Sequence, residues 1–306
     1  MRKVVLKDSR SNPIHIYVYE PTEKIKGIVH IIHGASEHFA RYGLFAEYLN
    51  QSGYLVIGCD MLGHGLSTET TDYVHFADKE GSKIGFESIL LVKDYILEHY
   101  KDLPVYIMGH SMGSFLARKM LIEYPDIYKK GIISGTAYVP GVVTTFGILL
   151  TGTIGLFKGK KYVSEFVQNM AIDANPAKMK KDGIIGDFKE AWLTKDETIQ
   201  QYYHHSAMCG QPFTVTANMN LFEWLAFVNS KSNIRKAKKE TPLFFVSGKN
   251  DPLSNYGDTV IQLVSIYKKL GFKSIQYKLY ENDRHEILNE TDHDVVFKDL
   301  LDFLNK

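Results

Sequence analysis

Hydrophobic and polar positions change period several times along this chain, and the changes mark its elements. Residues 4–19, VVLKDSRSNPIHIYVY, alternate on both sides of Ser11-Asn12-Pro13, which predicts a β-hairpin. GIVHIIHG (27–34) is a nearly unbroken β-branched run, the pattern of a strand covered on both faces. The period turns helical over Tyr42–Gln51, where Phe45, Tyr48 and Leu49 share a face, and Gly53 stops it. Further buried strands are predicted at YLVIGCD (54–60), PVYIMG (104–109), KKGIISGTA (129–137), PLFFVSG (242–248) and SIQYKLYE (274–281). Helical spacing covers 82–100, the stretch after residue 111, the region from about Asn218, 258–270 and the terminal FKDLLDFLNK.

Strand and helix alternate strictly up to about residue 137, which predicts a mostly parallel sheet with helices on both faces. The rhythm breaks at 138 and resumes near Asn218. The chain therefore divides into a first core part (1–137), an inserted segment (138–217) and a second core part (218–306). Within the insertion, Thr194 and Glu197 form a capping-box signature that opens a short helix through Tyr202.

Composition narrows the partners. The chain has 306 residues, 44% of them hydrophobic, enough for a sizeable core. Its 36 basic and 35 acidic residues nearly cancel, which argues against a nucleic-acid partner. Cys59 and Cys209 cannot build a disulfide framework, and no Cys/His spacing suggests a metal site, so no metal or cofactor is expected. The N-terminal MRKVVLKDSRSNP lacks a signal-peptide core, and a cytoplasmic location is expected.

The chemistry concentrates at GHSMG (109–113), set between a buried strand and a helix. The chain must turn sharply there, and Gly109 and Gly113 present no Cβ to obstruct it. Strand, G-x-S-x-G and helix together match a nucleophile elbow, which makes Ser111 the candidate nucleophile. Such a serine needs a base, and the elbow motif orders the partners as serine, acid, histidine. Asp251 follows the strand PLFFVSG and His285 follows SIQYKLYE, as that order requires. Of the rival acids, Asp60 precedes the serine, Asp283 reads as a solvated turn residue and Asp258 as a helix opener. His110 flanks the serine, and packing is its expected job. Oxyanion donors are expected at the backbone N–H of Met112 and, from HIIHGASEH, at that of Ala35.

Four segments, HGASEHFARYGLFAEYLNQSGYLVIGCDMLGHGLS, GHSMGS, KNDPLS and DRHEILNE, resemble the monoacylglycerol lipase and lysophospholipase branch of the α/β-hydrolases. In the insertion, WLTKDETIQQYY and CGQPFTV also resemble bacterial lysophospholipase-like members. The resemblance implies an eight-stranded, mostly parallel sheet with a mobile cap. It assigns Ser111, Asp251 and His285 as the triad, Ala35 and Met112 as oxyanion donors, and a small-molecule lipid ester as substrate. Two positions depart from the family: Ser36 stands where glycine is usual, and Leu62 where arginine usually precedes GHG.

Val139–Phe157 carries no charge and approaches the length of a membrane span, but Pro140, four glycines and four threonines dilute it. One reading is a cap helix packed on the core. The sharper one makes it the wall of an acyl-chain channel, through Phe146, Leu149, Leu150 and Ile154, that touches bilayers transiently. Lys158, Lys160 and Lys161 would then meet anionic headgroups. Alternatives on the same fold are a short-chain carboxylesterase and an aminopeptidase, which would gather acids such as Glu165, Asp173 and Glu190 around a substrate amine. Outside enzymes, the rival is a non-catalytic small-molecule receptor.

Overall fold

The structure, a computed structural model, describes residues 1–170 and 174–306. Its strands are β1 (Arg2–Lys7), β2 (Pro13–Tyr19), β3 (Gly27–Ile32), β4 (Tyr54–Cys59), β5 (Val105–His110), β6 (Tyr128–Ser134), β7 (Leu243–Gly248) and β8 (Ile275–Tyr280). They form one sheet in the order β1-β2-β4-β3-β5-β6-β7-β8. β2 pairs antiparallel with β1 and β4, and every other pair is parallel. The expected eight-stranded, mostly parallel sheet is present.

Every residue of β3, β4 and β7 is buried, because helices cover both faces. The pleat divides the β3 side chains. Ile28 and Ile32 join the core under α2 (Gly81–His99) and α3 (Met112–Glu123), while Val29 and Ile31 join that under α1 (Gly43–Gln51). Strand β6 ends at Ser134, three residues before the predicted end, and Gly135 turns away there at φ 56°.

Between β6 and β7 lie α4 (Gly141–Lys158), α5 (Glu165–Gln168), α6 (Ala174–Lys181), α7 (Glu197–His205), α8 (Val215–Asn229) and α9 (Lys231–Ile234). After β7 come α10 (Asp258–Lys269) and, beyond β8, α11 (His293–Asn305). Two caps differ from expectation. Asp196, not Thr194, caps α7, accepting from the Thr198 and Ile199 amides, because it directly precedes the first helical residue, Glu197. Thr194 instead donates to the Asn289 carbonyl. Helix α8 starts at Val215, where the Thr214 side chain accepts from Ala217 N, three residues before the predicted Asn218.

Helix α4 has the length and apolarity of a spanning helix, yet it is folded against α8. The contact uses its small residues: Thr144, Gly147, Thr151 and Gly155 are its buried positions. A Cβ on Gly147 would lie 2.7 Å from the Phe222 ring, so the close approach depends on glycine. Val142, Phe146, Leu149, Leu156 and Phe157 are left exposed.

Candidate active site

Ser111 joins β5 to α3 at φ 52° and ψ −121°, a conformation that costs a non-glycine residue about 1–3 kcal/mol. Neighbouring glycines make that turn possible. A Cβ on Gly109 would run into the Gly113 carbonyl, and one on Gly113 into the Ile32 carbonyl of β3. The turn is tied down by Ser111 N donating to Ser134 O (3.0 Å) and by Ser114 Oγ donating to Ser111 O (2.5 Å).

Asp251 follows β7 and His285 follows β8, and the two meet: His285 Nδ1 lies 3.0 Å from Asp251 Oδ2. Asp251 is fully buried and also accepts from Leu253 N (2.9 Å, at Oδ1) and Ser247 Oγ (3.1 Å, at Oδ2). Burial opposes its charge, but the His285 ring and these hydrogen bonds outweigh it and hold the pKa below the usual value. For His285 burial likewise disfavours the charged form. The Asp251 charge and hydrogen bond overcome it, so the imidazole pKa is raised. With Nδ1–H directed at the carboxylate, Nε2 is the ring atom left to act as a base.

The imidazole is clamped on two sides. Trp192 stacks on it at 4.8 Å, and the His110 ring lies 4.7 Å away. His110 is buried, which lowers its pKa to about 4, and its Nδ1 sits 3.4 Å from Ser134 Oγ, in keeping with a packing role. Trp192 escaped the sequence reading, although WLTKDETIQQYY contained it. Ser111 and His285 line the same cavity, and among the described residues Ser111 Oγ makes no hydrogen bond.

Gly34, Ala35 and Met112 line that cavity as well. No hydrogen bond among the described residues uses the Ala35 or Met112 amide, so both remain available to an oxyanion. Ser36 adopts φ 55°, the left-handed conformation that a glycine would take at this position. Its Oγ donates to Gln211 O (2.7 Å), and its carbonyl accepts from Gly210 N (2.8 Å) and Tyr203 Oη (2.9 Å). The side chain thus anchors the loop to the 203–211 segment. Leu62 is buried off the cavity wall, with its amide donating to Ser88 Oγ (3.0 Å).

The cavity holds about 310 Å³. Phe115, Val139, Val143, Leu221, Phe222 and Leu225 give it an apolar side, and Gln168, Asn175, Lys189 and Glu190 a polar one. Of the α4 residues expected on its wall, Phe146 is there, whereas Leu149, Leu150 and Ile154 are not. Helical phase explains this. Turning Gly147 and Thr151 toward α8 swings Leu149 outward, where it is 65% exposed. The glycine and threonine spacing at 144, 147, 151 and 155 was the available signal.

Asp283 also departs from expectation: it is fully buried rather than solvated. Lys195 Nζ lies 3.0 Å from Asp283, 3.8 Å from Glu290 and 3.4 Å from Asp292, an ammonium set among three carboxylates. Burial, with help from Glu290, raises the Asp283 pKa to about 6. Asp60 is committed elsewhere, accepting from Tyr17 Oη, Phe39 N and Leu66 N at 2.8 Å each, and Asp258 does open α10. Of the three acids an aminopeptidase would gather, Glu190 lines the cavity, with Oε1 3.1 Å from His204 Nδ1 and Oε2 buried without a partner among the described residues. Glu165 is exposed off the wall, and Asp173 lies outside the described residues.

A family model described as serine aminopeptidase, S33, matches residues 23–292. Monoglyceride lipase of Homo sapiens is 22% identical over 284 residues, spanning 90% of this chain and 83% of that protein. Phospholipase YtpA of Bacillus subtilis is 22% identical over 277 residues, spanning 89% and 92%. Among solved structures, a thermostable carboxyl esterase from Bacillus coagulans superposes with a TM-score of 0.87 at 20% identity, over 99% of this chain and 97% of that one.

Proposed function

The chain belongs to the serine aminopeptidase S33 family of α/β-hydrolases, and from that premise we propose a serine hydrolase that cleaves lipid-like carboxylic esters. One observation carries the reading: His285, held from behind by the buried Asp251, sits on the wall of the cavity that Ser111 also lines. His285 Nε2 takes the Ser111 proton as Oγ attacks the acyl carbonyl. The resulting oxyanion is held by the Ala35 and Met112 amides. His285 returns the proton to the leaving alcohol, and water then repeats the cycle on the acyl-enzyme.

Monoacylglycerol- or lysophospholipid-like esters suit the cavity's two sides. The acyl chain runs along Val143, Phe146 and Phe222, gaining about 0.8 kcal/mol per methylene removed from water, and the headgroup meets Lys189 and Glu190. The segment around α4 acts as a cap. Its exposed apolar residues and Lys158, Lys160 and Lys161 suit transient contact of a cytoplasmic protein with an anionic bilayer. Glu190, with a buried carboxylate oxygen that has no partner among the described residues, favours aminopeptidase action as the second reading.

Fluorophosphonate labelling, lost in Ser111→Ala, tests the nucleophile and separates catalysis from a receptor role. A hydrolysis panel of monoacylglycerols, lysophospholipids, p-nitrophenyl esters and aminoacyl anilides then tests the substrate. Turnover of the anilides alone would overturn the ester assignment.

A further inference from the structure

We propose that Arg41 is a positioning residue: its guanidinium, gripped between Glu37 and Glu286, sets the oxyanion loop and the His285 loop in register. Arg41 lies in the turn Phe39–Tyr42 after β3, and Glu286 follows His285 after β8, 245 positions away. Arg41 Nη1 donates to Glu37 Oε2 (2.6 Å) and to Glu286 Oε1 (2.7 Å), and Nη2 to Glu286 Oε2 (2.5 Å). The three side chains are only 3%, 3% and 5% exposed. Buried charges on this scale persist only when firmly paired.

Each carboxylate reaches toward a different part of the site. Glu37 Oε1 accepts from Gly34 N at 2.5 Å, one residue before the Ala35 donor, and from Tyr42 Oη at 2.8 Å. A Cβ on Gly34 would lie 2.7 Å from that oxygen and 3.2 Å from the Ser111 Cβ, so carboxylate, loop and nucleophile are in close sequence. Glu286 adjoins His285, accepts from Asn289 Nδ2 (2.9 Å), and its amide donates to Leu193 O (2.7 Å). The guanidinium also lies 5.0 Å from the centre of the Tyr203 ring, whose hydroxyl donates to the Ser36 carbonyl. One planar fork therefore fixes two loops that no covalent path joins closely. Lysine offers the same charge without the fork.

This rests on Ser111, His285 and Asp251 being the reacting groups, and the experiment separates the two claims. Wild type, Arg41→Lys and Glu286→Gln are compared for kcat and KM on p-nitrophenyl butyrate, for the pH profile of kcat/KM, for the rate of fluorophosphonate labelling and for thermal unfolding. With both loops displaced by about 1 Å, Arg41→Lys should lose about 100-fold in kcat and in labelling rate, with KM nearly unchanged. The groups facing the imidazole are Asp251, Glu286, Glu37 and His110; the three carboxylates favour its charged form, while His110 disfavours it in turn. Glu286→Gln removes one carboxylate charge, so the acid limb of kcat/KM should move to lower pH. Wild-type kcat and an unmoved limb, with only the melting temperature lowered, would reduce the cluster to scaffold and overturn the proposal. If Arg41→Lys does not fold, the isosteric Glu286→Gln decides by kcat and labelling rate measured above the acid limb, where the lost charge alone changes neither and a displaced loop lowers both. Wild type that resists labelling at Ser111 overturns instead the catalytic reading beneath it.

Discussion

Replacing Asp251 with asparagine tests the catalytic reading at its most constrained point. The carboxylate is used at three places: Oδ1 accepts from the Leu253 amide, and Oδ2 accepts from Ser247 Oγ and from His285 Nδ1. An asparagine has one carbonyl oxygen and one NH₂. A backbone N–H can only donate, so the oxygen must stay opposite Leu253, and the NH₂ then faces His285. Nδ1 becomes an acceptor, the ring proton moves to Nε2, and the base can no longer take a proton from Ser111. A wrong tautomer of this kind costs about 10⁴ in kcat, or about 5 kcal/mol of barrier. The pH dependence has a defined sign. In the wild type the imidazole pKa is raised, so the acid limb of kcat/KM should lie above the usual histidine value of about 6.5. Without the Asp251 charge, burial dominates, and the residual activity should have its acid limb at lower pH. Hydrolysis of p-nitrophenyl butyrate from pH 5 to 9 measures both effects. A loss under about tenfold, or a limb that stays in place, refutes the reasoning.

Three further outcomes are expected. Gly113→Ala places a methyl group against the carbonyl of Ile32, which ends β3, and that of His33 next to it; unfolding in urea should show a loss of about 3 kcal/mol, and tolerance without loss would contradict the elbow geometry. Val143→Trp narrows the apolar side of the cavity and should depress kcat/KM for long-chain monoacylglycerols more than for short ones, whereas Leu149→Asp with Leu150→Asp, both off the wall, should leave that ratio alone. Asp283→Asn mimics the neutral acid whose pKa is raised to about 6. The stability from that neutral form is complete below pH 3.8 and lost as pH rises through about 6, so calorimetry should find the variant gaining on wild type between pH 4 and 8; a difference independent of pH counts against it.

What the sequence disclosed and what it withheld divide by range. The β3, β4 and β7 runs were readable because double-sided burial leaves an unbroken apolar signature within six residues. The elbow was readable for a similar reason: Gly109, Ser111 and Gly113 are neighbours, and their constraint is steric and local. Asp251 and His285 could be placed from their order after two strands, without knowing any distance. By contrast, Asp283 in ENDRHE has the composition of a surface turn. Lys195, 88 residues earlier, supplies the partner that makes its burial tolerable. The Arg41–Glu286 pair spans a still greater separation, so neither residue announces the other.

Helix α4 shows a different kind of failure, in which the local signal was present but the obvious one misled. Hydrophobicity makes Leu149, Leu150 and Ile154 look inward, yet a helix pressed against another can gain more by close approach than by burying its bulkiest side chains. Gly147 permits that approach to Phe222, whereas a Cβ on Gly155 would meet Val215 at 3.5 Å, ordinary van der Waals contact. The consequence is an outer face where Val142, Leu156 and Phe157 are 78%, 76% and 83% exposed. Leaving that much apolar surface in water costs free energy that an ordinary cap helix would recover by rotating inward. The glycine-dependent contact with α8 prevents the rotation. The exposed face therefore follows from the packing geometry, and the same geometry that keeps Leu149 out of the cavity leaves it facing outward.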